Sequence, residues 1–171
     1  MDYCEEHVAE SYQKTVVSTM NVIELCEHCG SKMIYISTNY VFDGTAGPYD
    51  ENAEVNPVSV YGKHKLEAEK AVLSRLHDRV VIRITNVYGD EERKKNFVTQ
   101  IVYKLLNGEK LNLKLPNDQY ATPVNALDVA RAIFELVKED KSGIYNLSST
   151  DYLNRVELVV KILSFFPKAE Y

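Results

Sequence analysis

A chain of 171 residues, 45% apolar and 26% charged, can bury one sizeable core, which excludes a disordered segment and leaves little room for two full domains. The formal net charge of -5, with no long basic run, argues against a nucleic-acid surface as the main function. No apolar stretch approaches the ~18 residues of a membrane span, and the acidic opening Met1-Asp2-Tyr3-Cys4-Glu5-Glu6 lacks a signal-peptide pattern, so a single cytoplasmic domain over 1–171 is the expectation.

From about Glu5 to Glu27, Val8, Tyr12, Val16, Thr19, Ile23 and Cys26 recur at three- and four-residue steps, which predicts a helix with one apolar face, stopped by Gly30. Cys26 and Cys29 form a C-x-x-C around His28, with Cys4 and His7 upstream. No second such pair follows and Cys26 lies on the apolar stripe, so the thiols read as structural, with no metal expected. Three cysteines cannot all pair within one chain, in keeping with a reducing compartment.

Met33 to Ile36 is a compact apolar strand ending at Ser37-Thr38, followed by a loop from Phe42 to Pro57 rich in Gly, Pro, Asp and Asn. Unstructured loops of that length are usually functional. Pro57 and Ser59 open a helix over about 58–76, and Val80 to Ile84 is a second buried strand. The charges at Asp90-Glu91-Glu92-Arg93-Lys94-Lys95 read as a solvated turn, with a lid over a substrate as the alternative, leading into a helix over 94–106 closed by Asn107-Gly108. Asn117 to Pro123 is polar and irregular, and a helix over 126–139 precedes the strand Gly143 to Leu147. The last helix, over 154–165, begins with the capping-box pair Asn154 and Glu157. His7, His28, His64 and His77 fall on helix surfaces or helix ends, and the twelve tyrosines read mostly as packing.

Apolar strands alternating with helices predict an α/β fold in which right-handed crossovers set three parallel strands side by side. Ligand sites then lie beyond the C-terminal strand ends, where the loops after Ile36, Ile84 and Leu147 leave. At that edge Tyr61 and Lys65 stand four apart, about 40° from each other around the helix, with Thr38 just past the preceding strand. An isolated phenol, with a pKa of ~10, is a poor acid at neutral pH, and a neighbouring ammonium is expected to lower it. Such a set could protonate the alkoxide formed when a hydride adds to a carbonyl. The spacing taken alone fits equally a half-buried tyrosine beside a solvated lysine.

Ile36-Ser37-Thr38-Asn39-Tyr40-Val41-Phe42-Asp43-Gly44, Asn56-Pro57, and Tyr61-Gly62-Lys63-His64-Lys65-Leu66-Glu67-Ala68-Glu69 closely resemble the extended short-chain dehydrogenase/reductase family, within it the dTDP-4-dehydrorhamnose reductase branch. Arg83-Ile84-Thr85-Asn86-Val87-Tyr88-Gly89, Asp118-Gln119-Tyr120-Ala121-Thr122-Pro123 and Gly143-Ile144-Tyr145-Asn146-Leu147 continue the likeness in order along nearly the whole chain. The resemblance implies the C-terminal half of a Rossmann-like doubly wound parallel sheet. It implies an NADPH- or NADH-dependent reductase acting on the C4 keto group of a nucleotide-activated deoxy sugar. Tyr61 would donate the proton, Lys65 would lower its pKa and hold the nicotinamide ribose, and Thr38 would hydrogen-bond the reacting oxygen. Asn86 and Val87 would line the nicotinamide pocket, and Tyr40 and Gln119 would contact the sugar nucleotide.

Asn39 and Asn86 depart from the branch's usual Asp and Trp, Ala121 from a Gly, and Thr15 from the Asn of a helix segment, which bears on the substrate more than on the reaction type. No Gly-rich G-x-G-x-x-G turn occurs in the chain, so the first strand–helix units of the family are expected to lie outside it, leaving the strand at 33–36 with an open edge. A homodimer, or a partner supplying the missing half, would complete it. The alternatives are a non-catalytic regulatory subunit resembling the beta subunit of methionine adenosyltransferase, which carries similar motifs, and an inactive remnant.

Overall fold

The computed structural model describes residues 2–93 and 95–167. In chain order the first elements are α1 (Asp2–Glu6), α2 (Val8–Tyr12), a π-helical turn (Gln13–Val17), α3 (Ser18–Cys29), β1 (Met33–Thr38) and a 3-10 turn (Asn39–Val41). There follow α4 (Val60–Arg75), β2 (Arg79–Ile84), β3 (Val87–Tyr88), α5 (Phe97–Leu106), β4 (Tyr120–Ala121) and β5 (Val124–Asn125). The chain closes with α6 (Ala126–Lys138), β6 (Gly143–Leu147), β7 (Leu153–Asn154) and α7 (Arg155–Leu163). Contacts divide it into two compact units, one of residues 1–84 and 135–147, the other of residues 85–134 and 148–171.

In the first unit the three apolar runs pair as an all-parallel sheet in the order β1-β2-β6. Thr38 stands level with Ile84, and Ile84 with Leu147, so the three strands end together along one edge. Val80, Val81 and Ile82 of the central strand are fully buried, as a strand covered on both faces requires. Helices α3 and α4 lay Ile23, Ala68 and Val72 against Met33, Tyr35 and Val81, with Cys26 packed at the margin. β1 and β6 are the edge strands.

The second unit gathers α5 and α7 around Ile101, Leu105, Leu111, Val159 and Ile162. Its strands are two-residue pairings, β3 with β5 parallel and β4 with β7 antiparallel. At the start of α7 the Asn154 N–H donates to Glu157 Oε2 at 2.8 Å and the Glu157 N–H returns to Asn154 Oδ1 at 2.9 Å, the reciprocal cap that the sequence predicts.

Four expectations need correction. The helix expected from Glu5 to Glu27 breaks at His7 (φ -126°, ψ 54°) and widens into the π turn, where the Ser18 and Thr19 hydroxyls donate back to the Lys14 and Thr15 carbonyls. The extra residue rotates what precedes it, so Val8 and Tyr12 are exposed and Ser11 takes the buried position. His64 is buried rather than on the surface, because α2 packs over α4 and places Ser11 Oγ 2.9 Å from His64 Nδ1. The helix expected from residue 94 begins at Phe97, where the Asn96 side chain accepts from the Val98 and Thr99 N–H groups, and Lys94 lies outside the described residues. Within the irregular segment 117–123, Tyr120 and Ala121 form a strand against Asn154 and Leu153, too short to show a period.

Truncating Ile23, which is fully buried, to Ala should lower the unfolding free energy by about 2–5 kcal/mol. Leu25→Ala on the exposed side of the same helix should change it by less than about 0.5 kcal/mol. Urea unfolding followed by circular dichroism compares the two.

Candidate active site

The C-terminal end of β1 and the first turns of α4 build the site in the first unit. Thr38 is buried at the last position of β1, and its Oγ1 accepts the Tyr40 N–H at 3.2 Å, turning the chain into the 3-10 turn. Ser59 caps α4, its Oγ accepting the Gly62 N–H at 3.0 Å. At Gly62 a Cβ would collide with the Tyr40 carbonyl oxygen and crowd Pro57, so only glycine lets the helix start rest on that turn. This close approach brings the half-buried Tyr61 ring edge-on to Tyr40, 6.1 Å between centroids at 76°. The Thr38 side chain acts on the Tyr61 phenol, favouring its ionised form.

One turn further along α4, Lys65 donates from Nζ to the Ile36 carbonyl at 2.5 Å and lies over the Tyr35 ring, 4.2 Å from its centroid. Thr38, Tyr40, Tyr61 and Lys65 are thereby grouped at one strand end. Asn86, Val87 and Gln119 belong to the second unit. There Asn86 offers its carbonyl to the Val124 N–H at 3.0 Å, Val87 pairs with Val124 in the β3–β5 ladder, and Gln119 is exposed just ahead of β4.

Burial pushes the Tyr61 phenol above its ordinary value, and the Thr38 side chain only partly opposes it. This reverses the lowering expected from Lys65, whose Nζ is turned to the Ile36 carbonyl and is not among the groups that act on the phenol. Burial also holds the Lys65 amine down at about 8, with the Glu69 carboxylate pulling it back up. Desolvation therefore favours the neutral form of both groups: the phenol keeps its proton, and the amine can give one up near neutrality.

Three supporting features escape a motif-by-motif reading. Tyr35 carries the Lys65 ammonium on its ring, and burial drives its own phenol far up. Glu69, one turn beyond Lys65, is buried in an ion pair with Arg83 at 2.5 Å and accepts the Ser37 hydroxyl at 2.7 Å. The readable signal was a charged residue inside the apolar run of β2, four-residue steps away from matching on the Tyr61–Lys65 face of α4. Asp43 organises the loop after the 3-10 turn, accepting from the Thr45 N–H and hydroxyl, from the Tyr49 hydroxyl and from Asn56 Nδ2, donors that hold its carboxyl well below the usual carboxylate range. The loop is also tied to β6, where the Asn146 N–H donates to Glu51 Oε1 at 2.8 Å and Asn146 Nδ2 to the Tyr49 carbonyl at 3.0 Å.

Residues 1–170 match the family described as RmlD substrate binding domain. The chain belongs to this family. Methionine adenosyltransferase 2 subunit beta of Bos taurus is 32% identical over 170 residues, covering 96% of this chain and 51% of that protein. The dTDP-4-dehydrorhamnose reductase structure from Clostridium acetobutylicum superposes with a TM-score of 0.91 at 30% identity, covering 100% of this chain and 60% of that one. The Bacillus anthracis dTDP-4-dehydrorhamnose reductase, solved in complex with NADP, gives 0.92 at 26% identity over 100% of this chain and 60% of that one. The chain thus spans about half the length of the curated relatives it matches. The α/β, Rossmann-like fold and the place within the extended reductase family stand as the sequence implied. Among the described residues no helix is long and apolar enough to cross a membrane.

Gly62→Ala should cost about 1–3 kcal/mol of stability, because the helix start must lift from the Tyr40 carbonyl; urea unfolding measures it. The pH dependence of Lys65 gives a second test. Its folded value of about 8 lies below the ~10.4 of an unfolded lysine, so between those values the unfolded chain holds a proton that the folded chain has released. Stability from this group is fully present above the unfolded value and is lost as pH falls through about 8. Wild type should therefore gain on Lys65→Met as pH rises across this window, in unfolding midpoints taken in parallel.

Proposed function

We propose that this RmlD-family chain carries the proton-donating and substrate-side portion of an NAD(P)H-dependent reductase acting on the C4 keto group of a nucleotide-activated deoxy sugar. What supports this most is the grouping of Thr38, Tyr40, Tyr61 and Lys65 at the end of β1, with the Lys65 amine depressed to about 8. The donor set suits a nicotinamide nucleotide: Lys65 has three ammonium hydrogens, of which the Ile36 carbonyl takes one, leaving donors for ribose hydroxyls. Tyr61 and Lys65 would hold the cofactor in this unit.

A reduced nicotinamide held by Tyr61 and Lys65 would supply the hydride for the C4 carbonyl carbon. Thr38 donates its hydroxyl hydrogen to the carbonyl oxygen and so fixes its direction. Tyr61 transfers its phenolic proton to that oxygen as negative charge develops there, completing the alcohol. Lys65 stabilises the phenolate left behind, and with a value near 8 it can pass a proton back. Tyr40, edge-on to Tyr61, would contact the sugar nucleotide. The elevated phenol suits this direction of reaction, since a donor must hold its proton until the alkoxide forms.

A second reading is favoured by the 32% identity to methionine adenosyltransferase 2 subunit beta: a subunit that binds another chain rather than turning over sugar nucleotides. Titration of the purified chain with NADPH and NADH, followed by assay on dTDP-4-keto-6-deoxyhexoses, separates the two. The reductase reading expects saturable binding at micromolar levels, and a Tyr61→Phe variant that binds the cofactor within about 2-fold of wild type while turnover falls by about 10²–10⁴. Absence of binding up to millimolar levels would overturn it for this polypeptide. Saturable association with a methionine adenosyltransferase without sugar-nucleotide turnover would establish the second.

A further inference from the structure

Glu69 and Arg83 form a buried charged pair that the proposed chemistry does not use. Their side chains are 1% and 5% exposed. Arg83 Nη2 donates to Glu69 Oε1 at 2.5 Å, and its Nε lies 3.2 Å from both carboxylate oxygens. Ser37 Oγ donates to Glu69 Oε2 at 2.7 Å. Arg83 also reaches the Glu51 carbonyl at 3.4 Å and lies 5.2 Å from the centre of the Phe42 ring. Ser37 and Arg83 face each other in the β1–β2 register, one step before the Thr38–Ile84 pair at the strand ends.

A pair of this kind is poorly explained as a source of stability. Desolvating two charges costs about as much as their attraction returns, and apolar residues of similar volume often serve as well or better. What apolar residues lack is direction. A guanidinium gripping a carboxylate through two nitrogens fixes distance and angle together. Glu69 continues the four-residue series Tyr61, Lys65, Glu69 on one face of α4, so whatever holds Glu69 sets the rotation of the face that presents the other two. Tyr61 lies about 12 Å along the axis from Glu69, at ~1.5 Å per residue. The contact of Gly62 with Tyr40 fixes the height of the helix start, and the ion pair fixes its turn about the axis.

We propose that Glu69 and Arg83 are positioning residues, which orient α4 so that the Tyr61 phenol meets Thr38 and the Lys65 ammonium meets the Ile36 carbonyl. This rests on the reading of Tyr61 and Lys65 as the reacting groups, but its test needs no cofactor and no turnover, so either claim can fail while the other stands.

The experiment compares the wild-type chain with Glu69→Gln and with the charge-free double variant Glu69→Leu/Arg83→Met. Urea unfolding reports stability. Isotope-edited NMR of labelled tyrosine, assigned with Tyr61→Phe, reports the Tyr61 ring to Thr38 methyl contact. The double variant should unfold cooperatively at a midpoint close to wild type. Its Tyr61–Thr38 contact should nevertheless be lost. Glu69→Gln, which keeps the side-chain shape and one acceptor, should retain the contact in part. A double variant that folds with the contact unchanged would overturn the proposal. So would one that does not fold cooperatively, since the pair would then be a stability element.

Discussion

The face of α4 turned to the sheet is held by a carboxylate that water does not reach. Glu69 finds three donors in Ser37 and Arg83, from two adjacent strands, and no rotation of the helix keeps all of them. Hydrophobic contacts between α4 and the sheet, among them Ala68 and Val72 on Tyr35 and Val81, supply attraction but tolerate small slides. A hydrogen-bonded ion pair does not, because a carboxylate displaced from its donors is a charge in a medium that cannot solvate it. The arrangement of Tyr61, Lys65 and Thr38 inherits its definition from that intolerance.

The same lack of water governs the protonation of the site. Desolvation acts on whichever form is charged, so it lifts the Tyr61 phenol and depresses the Lys65 amine. Two groups that in water would be a neutral phenol and a firmly charged ammonium become a phenol that keeps its proton and an amine balanced near neutrality. Around them the charges are arranged to leave that balance in place. Tyr35 remains neutral under the ammonium, Glu69 is occupied by Arg83, and Asp43 is turned into its own loop by four donors. That loop, without helix or strand, is ordered by Asp43, by the stacking of Tyr49 on Phe42 at 4.4 Å and by its bonds to Asn146.

Much of the first unit was legible in the sequence. Apolar runs at 33–36, 80–84 and 143–147 read as strands, and their pairing in parallel followed from the helices between them, although β6 at the sheet edge is only half-buried. Ser59 and Asn154 marked helix starts through a chemistry that is local and therefore readable. The two-residue strands of the second unit were not legible, since a period needs several residues to declare itself and their partners lie far along the chain. The first helix misled for a related reason: the hydrophobic period assumes 3.6 residues per turn, and the π turn at Gln13–Val17 inserts a residue that moves Val8 and Tyr12 out to solvent.

The candidate residues Thr38, Tyr61 and Lys65 could be named from spacing and resemblance, because a helix repeat places positions four apart on one face whatever the surroundings. By itself the sequence determined the α/β class, the parallel pairing of its three main strands, the family and the helix face that carries a phenol and an ammonium. Only the tertiary structure decided that His64 is buried against Ser11, that Glu69 is neutralised by Arg83, and that the Tyr61 phenol is raised rather than lowered. These depend on how much water each group loses and on which residue from elsewhere in the chain replaces it, and solvent exclusion is a property of packed elements that no local pattern encodes.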